Sequence, residues 1–543
     1  MRQASFLIAL TLAASLVPHR DAAAAWQRNG IPLAPAGSSL PPRIGADGAG
    51  GIFAAWNPQA ASSQVNDLRV LRRLADGSLA PGWADTGVKI ATFGDGTGTI
   101  PNQIGWAAAI MPDGVGGAFV HYQIHYSTAT GAALVHMGVT GPVAAGWPVE
   151  LVSSQGATPS ISLEDDGGVL YALKTYSRFG MPTSVILGRL RANGSTAAKV
   201  TALTSTDPPI PSIATDHSGG AYVGWPCVYN GLDSTLTYSA WGPVAVPSCG
   251  SNVIVSSDGE HGFYLAWLAG STIRVTRFDA SGDVVPGWAP SGLAAGTGYA
   301  HSTIGLLDDG TGGLFVTWPA ANDLRVQRLT SAGAIVPGWA AAGTVIGPAP
   351  NVSAPSEFVA DGTGGLYVGW VAYANGGTGT GIFAQHLTAS GVPATGWLPT
   401  GDPICYPGGG GVVSATTDGA GGVYFGWLDA RDGNYRLYGQ HLFAGDLIPL
   451  AAPVPRAGTM SLAALANPSS SALRFSLVLP EAGDALIEVF DLAGRRVAQR
   501  SLLAAAAGAH EESLKLAGAS PCVYLVRLTQ SMRTVSARVI VTR

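Results

Sequence analysis

Charge is scarce in this chain: only 12% of its 543 residues are Asp, Glu, Lys or Arg, and the formal net charge is −5. No basic stripe and no charged tail stand out, which argues against a nucleic-acid partner. Cysteine is scarcer still. The four present, Cys227, Cys249, Cys405 and Cys522, are too few and too scattered for a disulfide-built scaffold or a structural zinc site. Beyond Ala25 no apolar run is long enough to cross a bilayer as a helix. What abounds is punctuation of the backbone: 75 glycines and 36 prolines break helices and mark turns.

The N-terminus is where an apolar run does occur. A basic start, Met1-Arg2-Gln3, precedes the stretch from Ala4 to Val17, then His19-Arg20-Asp21 and the small residues Ala22 to Ala25. That order predicts a secretory signal peptide over residues 1–25, cleaved near Ala25. The stretch of about 14 apolar residues is short for a membrane anchor, which needs ~20. The mature chain is therefore expected to be exported, soluble and without a membrane span. Export permits a disulfide; Cys227 with Cys249 is the expected pair, and two buried free thiols are the alternative.

A repeat organises most of the remaining chain. The phrase Asp-Gly-x-Gly-Gly, four apolar or small residues, then Trp, starts at Asp47, Asp113, Glu164, Asp216, Asp258, Asp309, Asp361 and Asp418, on average about 53 residues apart. Its fifth residue is always glycine, and its tenth is Trp56, Trp225, Trp267, Trp318, Trp370 or Trp427 in six copies, with Tyr122 and Leu173 in the others. A short strand-like run precedes the phrase. An Arg-Leu or His-Leu strand comes after it, and then Gly-Trp-x-x-x-Gly, as at Trp83, Trp288, Trp339 and Trp397. Each unit thus reads as four short strands. Four strands in about 50 residues, repeated, predict propeller blades that must stack to bury their faces. The hairpin glycines supply positive φ, and the acid caps amides of its own turn. A calcium role for these acids is the lesser reading, because the spaced ligands of a calcium loop are missing.

The ends of the repeat region set the count. Trp26-Gln-Arg-Asn-Gly30 matches the Gly-Trp-x-x-x-Gly strand, and the last unit, ending at Gln440-His441-Leu442, lacks it. The N-terminal strand is therefore expected to complete the final blade. The reading is an all-β chain: an eight-bladed β-propeller of four-stranded blades over residues 26–450, similar to bacterial secreted propeller repeats. Seven blades are the alternative, since the third and fourth units are degenerate.

Residues 451–466 read as a linker, and residues 467–543 as a different module. Its strands are expected at 472–479, 485–490, 496–501, 511–516, 522–528 and 534–541. Leu473, Phe475, Leu477 and Leu479 alternate as in a half-buried sandwich strand. Asn467-Pro468, Leu479-Pro480 with Gly483, Val489-Phe490-Asp491 with Gly494-Arg495, Ala507-Gly508-Ala-His510 and Val523-Tyr524-Leu-Val-Arg527-Leu528 resemble the FlgD-like Ig fold and the related type A sorting domain of type IX secretion. The segment departs from that pattern at Pro521-Cys522. The resemblance implies an Ig-like β-sandwich, contact with secretion machinery, and display at, or release from, a bacterial cell surface.

Chemistry is hard to find in the sequence. No His-Glu-x-x-His, no Gly-x-Ser-x-Gly and no phosphate-cradling loop occurs. His386 and His441 occupy the repeat position of Arg328, which points to a structural role. His121, Tyr122 and His125 could hold a metal, but read more simply as strand aromatics. The turns resemble those of sialidase-like propellers only loosely, since acid and Trp lie nine positions apart. No catalytic, cofactor or metal residue is assigned. The connections after the phrase Trp vary in length and should share one face with the crossings between blades. That candidate binding face comprises Asn57, Asp67, Tyr126, Tyr176, Arg178, Tyr229, Asn322, Asp323, Tyr373, Asp429, Arg431, Asp432 and Tyr435, with Trp106 beside it. A monomeric, exported binding module for an extracellular glycan or protein is the leading expectation. A polysaccharide-acting hydrolase or lyase is the alternative, and a structural or adhesive envelope role a third.

Overall fold

The structure is a computed structural model. It describes residues 26, 30–35, 37, 42–58, 66–93, 104–126, 129–152, 159–175, 183–205, 210–246, 251–298, 304–320, 323–348, 357–373, 380–399, 401–405, 409–431, 434–442, 460–464, 472–479, 483–491, 495–505, 508–516, 522–530 and 533–541. Among them every regular element is a β-strand.

Each repeat begins as strand, turn, strand, and the turn acid explains why. In the first, Asp47 Oδ1 accepts the backbone N–H groups of Ala49 (2.8 Å) and Gly51 (2.7 Å). The same two bonds recur at Asp216, Asp309 and Asp418. Gly51 tolerates no side chain: a Cβ there would lie 2.3 Å from Arg73 O. The other carboxylate oxygen takes a cation or imidazole from the third strand. Arg72 meets Asp47 at 2.9 Å, Arg328 meets Asp309 at 2.7 Å, and His386 and His441 meet Asp361 and Asp418 at 3.0 Å. The third repeat departs: its turn starts at Glu164, and Gly168 N–H bonds Asp166 instead.

The two tryptophan motifs fit each other. Trp56, Trp267, Trp318 and Trp427 are fully buried. The second glycine of Gly-Trp-x-x-x-Gly rests on the ring. At Gly343 (φ +84) a Cβ would stand 2.5 Å from Trp318, and Gly87, Gly292, Gly401 and Gly30 sit likewise on Trp56, Trp267, Trp370 and Trp427. The tryptophan of that motif instead reaches the next sheet. Trp83 Nε1 donates to Val139 O (3.0 Å), Trp147 to Ala192 O (3.4 Å), Trp288 to Ser331 O (2.8 Å) and Trp339 to Ala389 O (2.9 Å).

Eight four-stranded antiparallel sheets result among the described residues of the repeat region. Seven are sequential, from the first (Arg43–Ala46, Ile52–Trp56, Asn66–Arg73, Val88–Phe93) to the seventh (Glu357–Ala360, Leu366–Tyr373, Thr380–Leu387, Asp402–Cys405). The eighth joins Gly409–Thr417, Val423–Asp429 and Arg436–Leu442 to the N-terminal strand Ile31–Pro32, with Ile31 opposite Gly439. The first strand of the eighth sheet lies against Arg43–Ala46 of the first, so the series closes on itself. Hydroxyls satisfy the inner edges: Ser414 and Thr416 accept from Ile44 N (3.2 Å) and Ala46 N (3.0 Å), and Ser160 and Ser162 do the same for Ile213 and Thr215. Buried aromatic and aliphatic side chains fill the spaces between sheets. The repeat region is a β-propeller.

The tail is a sandwich of a three-stranded sheet (Ser461–Ala464, Ala472–Leu479, Gly508–Lys515) and a four-stranded one (Arg496–Ala505, Gly483–Phe490, Cys522–Gln530, Arg533–Val541). Phe475, Leu477, Ile487, Val489, Val526, Leu528 and Val539 form its own core. One boundary needs correction: the end of the expected linker is structured, because Ser461–Ala464 pairs with Phe475–Val478. Ser-Leu-Ala-Ala carries no strand signal of its own, and the partner strand supplies its order.

Candidate functional site

In a meander of four strands, ends alternate. The Asp-Gly turns therefore lie at one end of the ring, and the connections after the phrase Trp lie at the other with the crossings between sheets. The first end is nearly uniform: an acid–Arg or acid–His pair ties seven of the eight sheets, and in the fourth, where Gly231 stands at the cation position, Asp216 takes the Ser218 hydroxyl instead. At the second end the connections differ in length, from two residues between Trp225 and Val228 to nine between Trp56 and Asn66.

Seven of the thirteen candidate residues have described side chains. Asn57 is buried and donates to Asp67 O at 3.0 Å, holding the two ends of its loop together. Asp67 meets Arg69 (3.3 Å), Lys89 (4.0 Å) and the Thr92 hydroxyl (2.9 Å). Asp323 takes Arg325 through two bonds, of 2.8 and 3.0 Å. In the eighth sheet Asp429 is fully buried and paired with Arg431, whose guanidinium lies 4.1 Å from the centre of the Tyr438 ring. The Cys405 thiol donates to Asp429 at 3.1 Å. Burial, with the neighbouring carboxylate, pushes that thiol up to about 12, so it stays protonated and unreactive at neutral pH. Tyr435 is 53% exposed, the largest aromatic surface at this end among the described residues. Its carbonyl accepts Gly37 N–H at 3.0 Å.

Tyr229 does not belong to this face. It is buried against Phe278 (ring centroids 4.7 Å apart), Phe263 (5.7 Å) and Trp241 (6.0 Å), and burial pushes its hydroxyl up to about 12. The reason is a very short connection: only two residues separate Trp225 from strand Val228–Leu232, so position 229 already lies inside the sheet, opposite Gly224. Tyr126 and Tyr373 end the strands Ala118–Tyr126 and Leu366–Tyr373. Trp106 falls in the inner strand Ile104–Pro112 rather than in a loop. Tyr176, Arg178, Asn322 and Asp432 lie outside the described residues.

His121 is buried, and burial lowers it to about 4, which keeps the ring neutral. No group of three metal-ligating side chains forms among the described residues. Cys227 is disulfide-bonded, and Cys405 and Cys522 are free thiols; the expected partner, Cys249, lies outside the described residues.

One pair at the loop end belongs to no motif and was not expected from the repeat. Arg43 starts the inner strand of the first sheet and Glu357 that of the seventh. Arg43 Nη1 lies 3.2 Å from Glu357 Oε1, and Arg43 Nε donates to Ala108 O of the second sheet at 3.1 Å. The pair thus spans the inner rim past the eighth sheet. Burial pushes the Glu357 carboxyl up to about 7, against the pull of Arg43. A signal existed: four positions before the turn acid, the other repeats carry Ala109, Ser160, Ser212, Ile254, Gly305 and Ser414, so two opposite charges stand out.

No protein-family model matches the sequence, and no curated protein does. Among solved structures the chain is similar to prolyl oligopeptidase B of Galerina marginata, at 10% identity and a TM-score of 0.40, over 82% of this chain and 56% of that one. It thus spans little more than half of that enzyme's length. It is also similar to the β-propeller domain of the Trilobed protease of Pyrococcus furiosus, at 10% identity and a TM-score of 0.36, over 64% and 92%. A third is PorZ, a bacterial surface component of the type-IX secretion system of Porphyromonas gingivalis, at 12% identity and a TM-score of 0.31, over 92% and 81%. At such identities the likeness concerns fold alone.

Proposed function

We propose that this protein is an exported, eight-bladed propeller that binds an extracellular glycan or protein through its loop end, with an Ig-like tail that assists export or anchoring at a bacterial surface. The observation that carries this reading is the contrast between the two ends. The turn end repeats one acid–Arg or acid–His pair in seven of the eight sheets, whereas the connections at the loop end range from two residues after Trp225 to nine after Trp56 and carry Asp67 with Arg69 and Lys89, Asp323 with Arg325, Asp429 with Arg431, and exposed Tyr435. Variable loops on a rigid scaffold are the usual place for recognition. The signal-like order of residues 1–25 and the resemblance of residues 467–543 to sorting domains support the location.

One feature favours the rival reading, a polysaccharide hydrolase or lyase: Glu357 stays partly protonated near neutral pH, as a general acid must. A glycan array and a surface-protein pull-down, run beside a polysaccharide turnover screen, separate the two. Binding without turnover is expected, weakened by Tyr435→Ala. Turnover abolished by Glu357→Gln would reverse the assignment.

A further inference from the structure

We propose that Arg43 and Glu357 form a carboxylate-binding site on the inner rim, in which the uronate group of an acidic polysaccharide replaces Glu357 on Arg43 while Glu357 takes up a proton. The inference rests on the glycan reading above and names the chemical class of the glycan.

Both groups sit where their strands enter the ring from the loop end, and their side chains are 22% and 28% exposed, so a ligand can reach them. Arg43 is held at its Nε by Ala108 O, which orients the guanidinium and leaves Nη1 to Glu357. A guanidinium edge recognises a carboxylate by its planar donors. Glu357 therefore occupies the seat of an external anion.

The exchange is also energetically close. Partial burial costs the Glu357 carboxylate more than Arg43 returns, which is why its carboxyl is pushed up to about 7. Neutralising it near pH 7 is thus nearly free, and Arg43 then faces a carboxylic acid. Other charges are remote from this exchange. Of the strands packed against Glu357–Ala360, Gly409–Thr417 carries no ionisable residue, Leu366–Tyr373 contributes Tyr367, which stacks on His386, and Tyr373 at its loop end, and Gly305–Asp308 contributes Asp308 at its turn end. A uronic acid suits the rearranged site: its carboxylate pairs with Arg43, and a ring hydroxyl accepts the new Glu357 O–H.

Calorimetry on the full chain with tetragalacturonate, and with maltotetraose as the neutral control, tests this. Tetragalacturonate should bind with proton uptake and about tenfold more tightly at pH 6 than at pH 8, as expected when a group titrating near 7 must be protonated. Glu357→Gln, which is isosteric, should bind equally at both pH values, and Arg43→Gln should lose binding. Equal wild-type affinity at the two pH values, or retained binding in Arg43→Gln, overturns the site. A glycan that binds but is indifferent to both substitutions overturns the site and leaves the general reading standing. Hexaglutamate binding without tetragalacturonate binding overturns the sugar-acid assignment.

Discussion

Among single residues, the repeated acid is a folding device whose charge matters. Burial alone would raise the Asp361 carboxyl, but the bond from His386 and those from Thr363 and Gly365 outweigh it and bring the group to about 2. An unfolded Asp titrates at about 3.9. The carboxylate therefore contributes stability above pH ~4, and that contribution is lost as the pH falls from ~4 towards ~2. Asp361→Asn should cost about 1–3 kcal/mol at pH 7 and give a shallower loss of stability in acid. Urea unfolding of both proteins at pH 7 and pH 3 would show it, and parallel acid limbs would contradict it. This role was legible in the sequence, because an acid with Gly-x-Gly-Gly after it has amides of its own to cap. The Arg43–Glu357 pair was harder to see: residues some 300 positions apart become partners only when the ring closes.

Among the strands, one short segment carries unusual weight. Trp26 is buried against Tyr424 and donates to Ala75 O at 2.9 Å, while Gln440 bonds both Trp26 O (3.1 Å) and Gly30 N–H (3.0 Å). The N-terminal segment thus fills the outer edge of the eighth sheet and clasps the first. Trp26→Ala should destabilise the ring by about 3–5 kcal/mol, the usual cost of emptying a large aromatic site. A midpoint shift in guanidinium unfolding would measure it; a change below about 1 kcal/mol would refute the clasp. Trp26-x-x-x-Gly30 announced this strand, because the last repeat lacked its Gly-Trp-x-x-x-Gly element. Tyr229 was misplaced for the opposite reason. Its loop has shrunk to two residues, and spacing from the motif cannot reveal a connection that short.

In the molecule as a whole, the propeller and the tail each enclose their own apolar core. Removing residues 451–543 should leave the propeller's unfolding transition within about 2 °C of its position in the full chain, because a separately cored unit adds little to its neighbour. Calorimetric scanning of both chains decides this, and a drop of about 10 °C would mean that the tail shares the propeller's stability.

The periodic and local features needed nothing beyond the order of residues. The turns, the four-strand unit, the two tryptophan motifs and the need for a closing strand all depend on residues within about 50 positions of each other, or on a repeat that can be laid over itself. The meeting of irregular residues belongs to the folded ring instead. The Arg43–Glu357 contact, the Cys405–Asp429–Arg431 cluster and the burial of Tyr229 arise where different sheets converge or a loop collapses. Such contacts come from the closing of the ring or from the local shortening of one connection, and no periodic pattern encodes them.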